Sequence, residues 1–148
     1  MKLVYRTLTM VFIVTLIFSC NSNVNDEFRG DIVGTWYTSG KKSVIEFYEK
    51  DGVFIGKIVD LKRPFFNGEP KKDFRNPDMK KRDNLIIGTE VFTGLEYDGN
   101  KTWDDGEYYD YQKGEYNSCE VKINKDGFLE IEVDGLERPI ILKNKLNY

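Results

Sequence analysis

Short runs of β-branched and aromatic residues, separated by glycine-containing turns, fill the chain from about residue 32 onward. The stretch Gly34 to Leu61 sets the pattern, with three such runs divided at Ser39-Gly40 and at Asp51-Gly52. Runs broken by residues that tolerate positive φ are typical of strands joined by tight turns. The pattern predicts eight strands, at about 32–38, 42–50, 53–61, 86–97, 101–110, 115–123, 128–134 and 138–146.

Apolar and polar residues alternate along several of these predicted strands. Cys119 and Val121, for example, each have polar neighbours on both sides. This period gives the strand one dry face and makes Cys119 a small buried side chain. Eight sequential antiparallel strands predict an all-β fold, an eight-stranded up-and-down barrel, because closure removes exposed edges. Its interior has room for side chains or one small ligand. Gly56, Gly88 and Gly94 predict bends or bulges that help closure.

One connection is too long for a simple turn. The segment 62–84 has no strand pattern and holds eight basic residues against four acidic ones. Its net charge is therefore +4, in a chain whose formal charge is −3. A loop of this length usually carries a function or its own local structure. Asn76-Pro77-Asp78 is typical of a capped helix start and predicts one short helix at Pro77 to Arg82.

The first nineteen residues have the pattern of a targeting segment. Lys2 and Arg6 precede a mostly apolar run, Leu8 to Phe18, that is too short to span a bilayer comfortably. The run ends at Ile17-Phe18-Ser19-Cys20, which resembles the cleavage site of bacterial lipoproteins. The resemblance implies a signal peptide at 1–19 and acylation of Cys20, which attaches the protein to a membrane. Ordinary cleavage, with Cys20 left as a thiol, is the alternative.

The residues after the cysteine indicate an address and a domain boundary. Asn21 is not the aspartate that retains lipoproteins at the inner membrane, so we expect a lipid-anchored protein of the bacterial outer membrane. Residues 20–30 are polar and lack a period, which is typical of a flexible tether. The barrel domain is then predicted to span 31–148.

Composition excludes several classes of function. The chain has no histidine, which excludes a Ser-His-Asp triad, a Cys-His pair and histidine metal sites. Two cysteines are too few for a zinc site, and 25 acidic against 22 basic residues disfavour nucleic-acid binding. The acidic stretch 98–107 does not fit an EF-hand, because Trp103 stands where that loop needs glycine. We therefore expect no metal, no cofactor and no nucleic-acid partner.

The tripeptide Gly34-Thr35-Trp36 on the first predicted strand resembles the Gly-x-Trp signature of lipocalin-like barrels. In that superfamily the tryptophan closes the barrel floor, often against a basic residue of the last strand. The resemblance implies that Trp36 has this position and that Arg138 or Lys143 is its basic partner.

A wider set of motifs follows in order along the chain: Gly34-Thr35-Trp36, Asp51-Gly52, Gly56-Lys57-Ile58-Val59, Asp73, Asn76-Pro77-Asp78, Arg82, Ile87-Gly88, Gly94-Leu95, Trp103, Gly106 and Tyr109-Asp110. This pattern is similar to the bacterial exported family called domain of unknown function 2147, related to the lipocalin-like barrels. The resemblance covers about residues 31–133 and implies a fold and an envelope location, but no activity. The last predicted strand departs from the family pattern, since 139–146 lacks a tryptophan.

Each candidate binding residue has a functional and a structural interpretation. Trp36 either lines a ligand cavity or plugs the barrel. The polar group at 73–82 either forms a site at the barrel mouth, with Arg82 holding a carboxylate or phosphate, or caps a helix and pins the loop. Tyrosines 108, 109 and 111 with their acidic neighbour either bind a sugar or aromatic ligand or pack ordinarily. The candidates are Trp36, Asp73, Asn76, Asp78, Arg82, Tyr109 and Asp110.

The leading function hypothesis is binding of a small amphipathic or anionic molecule, in the barrel interior or at its rim, beneath the basic loop. The alternative is a filled barrel that serves as a structural or protein-interaction module of the envelope. A carboxylate-based hydrolase comes third. Pairs such as Asp105 and Glu107 give it little support, because an acidic chain always offers such pairs. The sequence therefore favours a non-enzymatic protein, and no catalytic residue is assigned.

Overall fold

The structure, a computed structural model, describes residues 26–144. The predicted signal peptide, Cys20 and residues 145–148 lie outside the described residues. Three 3-10 helices occupy Asp26–Ile32, Ser39–Lys41 and Met79–Lys81. The strands are β1 (Gly34–Thr38), β2 (Ser43–Lys50), β3 (Val53–Leu61), β4 (Phe65–Phe66), β5 (Glu69–Pro70), β6 (Glu90–Gly99), β7 (Thr102–Asp110), β8 (Glu115–Ile123), β9 (Leu129–Val133) and β10 (Ile140–Asn144).

Eight of these strands form a closed barrel, so the predicted eight-stranded antiparallel up-and-down fold is confirmed. Each strand pairs with its sequence neighbours, β3 being followed by β6, and β1 closes the barrel by pairing with both β2 and β10. Strands β4 and β5 form a separate hairpin within the long loop. No helix in the described part of the chain has the length and apolar character needed to cross a membrane.

Bulges bend the sheet at two positions with positive φ. Gly94 has a φ of 71° in β6, beside a register shift between β3 and β6. Asp105 has a φ of 52° in β7, where the register with β8 also shifts. The predicted bulge at Gly94 is confirmed. Gly88 lies outside the strands, since β6 begins only at residue 90. It belongs to the end of the long loop, where its N–H donates to the Ile58 carbonyl (2.7 Å).

One end of the barrel, which we call the closed end, is filled with side chains. Ile32, Phe54 and Trp103 are fully buried there, and Phe54 meets Trp103 edge to face with ring centroids 6.1 Å apart. Trp36 is 5% exposed, and its ring N–H donates to the Ile32 carbonyl (2.8 Å). The first 3-10 helix and the tryptophan therefore close this end as one packed floor.

The implied basic partners of Trp36 on the last strand are wrong. Arg138 lies in the turn before β10, whereas Trp36 pairs with Asn144 at the other end of that strand. Lys143 pairs with the next residue of β1, and its ammonium lies 4.6 Å from the centroid of the Phe128 ring. The ring nitrogen of Trp36 already has its partner in the first helix.

A basic residue does cover the closed end, but it comes from the N-terminal side. The guanidinium of Arg29 lies 5.2 Å from the centroid of the Phe54 ring and donates to the Glu49 carboxylate (2.8 Å) and the Gly52 carbonyl (2.7 Å). Residues 26–30, within the segment predicted as a tether, thus belong to a 3-10 helix that packs on the barrel.

Aromatic rings fill the middle of the barrel. Phe47 stacks on Phe92 with centroids 5.4 Å apart, and Phe92 stacks on Tyr108 at 5.1 Å. Gly56 makes room for this stack, because a Cβ atom there would lie 2.8 Å from the Phe47 ring. Cys119 is buried and free, as predicted, and burial raises the pKa of its thiol to about 12.

The long loop has more regular structure than its sequence predicts. Strands β4 and β5 pair through a tight turn at Asn67-Gly68, where both residues have positive φ. The helix is shorter than predicted, and its cap is Asp78, which accepts a hydrogen bond from the Lys80 N–H (3.0 Å). Two predictions for this loop are therefore wrong: that it contains no strands, and that Asn76 caps its short helix. Two-residue strands show no alternation, and Asn76 makes its bonds elsewhere.

Candidate functional site

The barrel mouth is the end opposite the first 3-10 helix. It comprises the turns that join β1 to β2, β7 to β8 and β9 to β10, together with the long loop 62–89. Connections must alternate between the two ends because successive strands are antiparallel. The Lys62 N–H donates to the Lys42 carbonyl (3.0 Å) and fastens the loop to the first turn. The basic loop therefore borders the opening of the interior.

An inner pocket of about 160 Å³ opens at this mouth. The stacked rings of Phe92 and Tyr108 line it, and its other walls are mostly aliphatic. Pockets for drug-sized ligands usually enclose roughly 300–1,000 Å³, so this one takes only a short apolar group. The remaining wall residues include Thr38, Ser43, Ile45, Ile58, Ile140 and Leu142.

Tyr108 is an ionisable residue in the wall of the inner pocket, and its pKa is clearly shifted. Burial is the main cause that raises the pKa of its hydroxyl to about 12, and the Asp110 carboxylate adds to the effect. The hydroxyl is therefore protonated at neutral pH and can donate a hydrogen bond. At the rim, the Ser43 N–H donates to Thr38 Oγ1 (2.9 Å), which fixes the first turn.

A vestibule of about 410 Å³ lies next to the inner pocket and shares four lining residues with it. The two cavities therefore adjoin each other at the mouth. No basic side chain of the vestibule forms an ion pair with another described residue. An anionic group in the vestibule would meet these cations while an attached apolar group fills the inner pocket. The four basic residues are Lys42, Lys62, Arg63 and Lys71.

Asp73, Asn76 and Tyr109 form a buried polar cluster, which we call the loop latch. The Tyr109 hydroxyl donates to both carboxylate oxygens of Asp73, at 2.8 and 3.0 Å, and Asn76 Nδ2 donates to Asp73 Oδ2 at 2.7 Å. Burial, together with the Asp73 bond, raises the pKa of Tyr109, so this phenol keeps its proton. Because Tyr108 faces inward, Tyr109 faces outward, and the latch ties the loop to the outer wall of β7.

Two further predicted residues brace the latch. Arg82 Nε donates to the Asn76 carbonyl (2.8 Å), and Asn76 Oδ1 accepts from the Asp78 N–H (2.9 Å). Asp110 is the last residue of β7, and its side chain accepts a hydrogen bond from the Gln112 N–H (3.0 Å) in the turn that follows. These polar groups hold loop and turn together, so they position the mouth.

The structure therefore brings together five of the predicted site residues, in and around the latch, with Asp110 next to Tyr109 at the end of β7. Trp36 lies apart, in the closed end. None of the seven lines the inner pocket or the vestibule. Sequence reasoning did not consider Lys42 or Phe92 as site residues, and it weighed Tyr108 but did not keep it among the candidates. For Tyr108, the available signal was Asp105-Gly106, a pair typical of a bulge, which reverses the alternation along β7.

Another surface cavity, of about 670 Å³, lies along β7, β8, β9 and the turn after β9, and its lining includes six acidic residues against one basic residue. Burial, then the neighbouring carboxylates of Asp98 and Asp105, raises the pKa of Asp104 within it. Across residues 26–144, no group of three or more histidine, cysteine or acidic residues is arranged to hold a metal ion. This acidic cavity would repel an anion, so the inner pocket and the vestibule are the better candidate site for one.

Comparisons with known proteins agree with the barrel. The family model described as "Uncharacterized protein conserved in bacteria (DUF2147)" matches residues 34–144, which includes the last strand. The solved structure of protein HP1028 from Helicobacter pylori, described as belonging to the lipocalin family, is similar with a TM-score of 0.65 and 24% sequence identity. The match covers 76% of this chain and 82% of that one, and it shows the fold alone. A search of the curated proteins found no match.

Proposed function

The chain belongs to the bacterial DUF2147 family, whose description assigns no activity, and we propose that it binds a small anionic amphiphile at the barrel mouth. The observation that carries the proposal is that an apolar inner pocket adjoins a vestibule that holds four basic side chains, with four lining residues in common. The apolar part of the ligand occupies the pocket, and its anionic group lies among the cations. A lipocalin-like barrel is suited to this task, since its mouth can hold one small ligand.

The size of the inner pocket limits the ligand. About 160 Å³ accepts a short acyl or aryl group, and a long chain would have to remain partly in the vestibule. The stack of Phe47 on Phe92 fills the barrel beneath and blocks deeper insertion. We therefore expect short-chain carboxylates or phosphates to bind better than long-chain ones.

A calorimetric titration of residues 21–148 with octanoate and with octanol tests this proposal. These residues include every part of the closed barrel. Octanoate should bind at least about tenfold more tightly than octanol, because the vestibule recognises the charge. Lys62→Glu/Arg63→Glu should remove this preference, whereas the matched pair Lys50→Glu/Lys125→Glu, exposed at the closed end, should leave it unchanged.

The inner pocket has its own matched pair of variants. Ile140→Phe fills the pocket from β10 and should weaken both ligands, while Ile141→Phe, on the other face of the strand, should not. Melting temperatures of both variants would show that the barrel remains folded. Octanoate binding that neither Ile140→Phe nor the rim pair reduces would overturn the proposal, as would the absence of binding.

A filled barrel that acts as a protein-interaction module is the second candidate. The packed closed end favours it, because Trp103, Phe54 and Phe47 leave little space in the lower part of the interior. Native mass spectrometry of the protein purified from its own host would distinguish the two. A stoichiometric small-molecule adduct supports the carrier, and a clean apo mass favours the module.

The location is also proposed from sequence. Acylation of Cys20 would attach the barrel to the outer membrane through the residues that precede the first 3-10 helix. Mass spectrometry of the protein extracted from membranes tests this, since Cys20→Ser should abolish the acyl mass and release the protein into the soluble fraction.

A further inference from the structure

The long loop carries most of the large exposed hydrophobic side chains of the described chain. Residues 26–144 have nine such side chains, and six of them lie between residues 65 and 87. Phe65 and Phe66 on β4 are 60% and 67% exposed, and Phe74 is 65% exposed. We call β4, β5 and their turn the aromatic hairpin. Exposed aromatic surface of this kind in a folded domain marks a contact site.

The geometry of the hairpin indicates what kind of surface it contacts. Consecutive residues of a strand point to opposite faces, yet both phenylalanines of β4 are exposed. Each face of the hairpin therefore presents a largely exposed phenylalanine ring to solvent. A folded protein partner would cover one face, whereas a fluid bilayer can surround a projecting tip on both faces.

The loop that carries the hairpin has a net charge of +4 over residues 62–84, which is complementary to anionic lipid headgroups. Lys80 and Lys81 on the short 3-10 helix are exposed, and neither forms an ion pair with another described residue. Lys72 pairs with Asp83 (3.0 Å), while the Asp73 carboxylate is used within the latch. Lysine is depleted in protein–protein interfaces but common where proteins meet anionic membranes.

We infer that the aromatic hairpin and the lysines of the same loop dock this protein onto an anionic phospholipid surface. The phenylalanines insert at the boundary between headgroups and acyl chains, and the lysines lie among the phosphates. This goes beyond ligand binding and does not depend on it. The groove beneath the hairpin, lined by Phe66, Phe74 and Ile86, shares Lys71 and Tyr111 with the vestibule. Docking therefore places the mouth beside the lipid.

Flotation of residues 21–148 with two kinds of vesicle tests the inference. The protein should float with vesicles of phosphatidylglycerol and phosphatidylcholine, and much less with pure phosphatidylcholine. Phe65→Ser/Phe66→Ser should lower vesicle affinity by about tenfold or more, because each buried ring contributes to insertion. Lys80→Glu/Lys81→Glu should remove the preference for phosphatidylglycerol.

Matched controls separate docking from general adhesion. Val33→Ser/Leu136→Ser removes exposed apolar side chains elsewhere, and Lys50→Glu/Lys125→Glu changes charge at the closed end; both should bind vesicles like the parent. Phe66→Trp adds an exposed indole to a chain whose two tryptophans are buried, so its emission should shift to the blue with anionic vesicles. Equal loss in the controls, no vesicle binding, or a hairpin that crosslinks in cells to a protein instead would overturn the inference. Octanoate titration of the Phe65→Ser/Phe66→Ser variant reports separately on the ligand site.

Discussion

The two ends of this barrel are built from the same eight strands but differ in what they leave exposed. At the closed end, Phe54 and Trp103 are fully buried and Arg29 lies over the Phe54 ring. At the mouth, Phe66 is 67% exposed and a pocket remains above the Phe92 ring. The strands thus supply one continuous core, and the connections decide which end is packed and which end is available for binding.

The clearest way to break this comparison is the same substitution at each end. Phe54→Ala should lower the free energy of unfolding by about 3–5 kcal/mol, because it leaves a cavity beside Trp103. Phe66→Ala should change it by less than about 0.5 kcal/mol, because its ring contacts mainly solvent. Urea denaturation measures both. Similar losses for the two variants would show that the hairpin is part of the core.

Alkaline pH should destabilise the packed interior more than the pocket wall. Burial raises the pKa of the Cys119 thiol from 9 in the unfolded chain to about 12 in the folded protein. Its contribution to the free energy of unfolding is therefore fully present below pH 9 and is lost as the pH rises from 9 to 12. The loss is at most about 4 kcal/mol. For Tyr108 the window is narrower, from about 10 to about 12. Thermal melts across this range should show that Cys119→Ala flattens the decline more than Tyr108→Phe does.

The loop latch should matter at an intermediate level. Tyr109→Phe removes the hydroxyl that donates to both oxygens of buried Asp73, and the loss should be about 1–3 kcal/mol. Tyr116→Phe is the matched control, because Tyr116 stacks on Tyr109 but is 44% exposed. Hydrogen exchange should locate the change in residues 72–84. If exchange instead rises throughout the barrel, the latch supports the core and not only the mouth.

The smallest effect concerns the charged contacts of the two ends. Arg29→Gln should cost about 1 kcal/mol, since it removes a cation–π contact and a partly exposed ion pair. Lys72→Gln at the mouth loses only an exposed pair with Asp83, and thermal melts should show almost no change. An equal shift for both would mean that Arg29 does not seal the closed end.

The barrel was predictable because its signals are local and repeated. Alternation, Asp-Gly turns and the length of the runs predict each barrel strand to within a few residues. The largest difference is at the start of β6, which was predicted at residue 86 and begins at residue 90. The contacts between distant segments were not. Arg29 lies in a polar stretch whose sequence has no period, and only the folded chain brings it to Glu49 and the Gly52 carbonyl.

The candidate site illustrates why pattern reading stops short of function. The residues 73–82 stand out as polar, but their atoms bind one another and the wall of β7. Tyr108 lines the pocket instead of Tyr109, because the bulge at Asp105 adds one residue and reverses the inward face. A bulge shifts every later side chain of the strand to the other face, so one irregular residue changes which tyrosine lines the pocket.

The position of the first 3-10 helix also sets how the molecule can stand on a membrane. If Cys20 carries the predicted lipid, the six residues from there to Asp26 reach at most roughly 20 Å. An upright barrel then presents its mouth to the space beyond, since nine-residue strands such as Val53–Leu61 span roughly 30 Å. A barrel whose axis lies along the membrane plane brings Phe66 to the same leaflet that holds the anchor. The linker joins the barrel at its closed end and is short. The tilt of the barrel relative to the membrane would then decide which surface the mouth contacts.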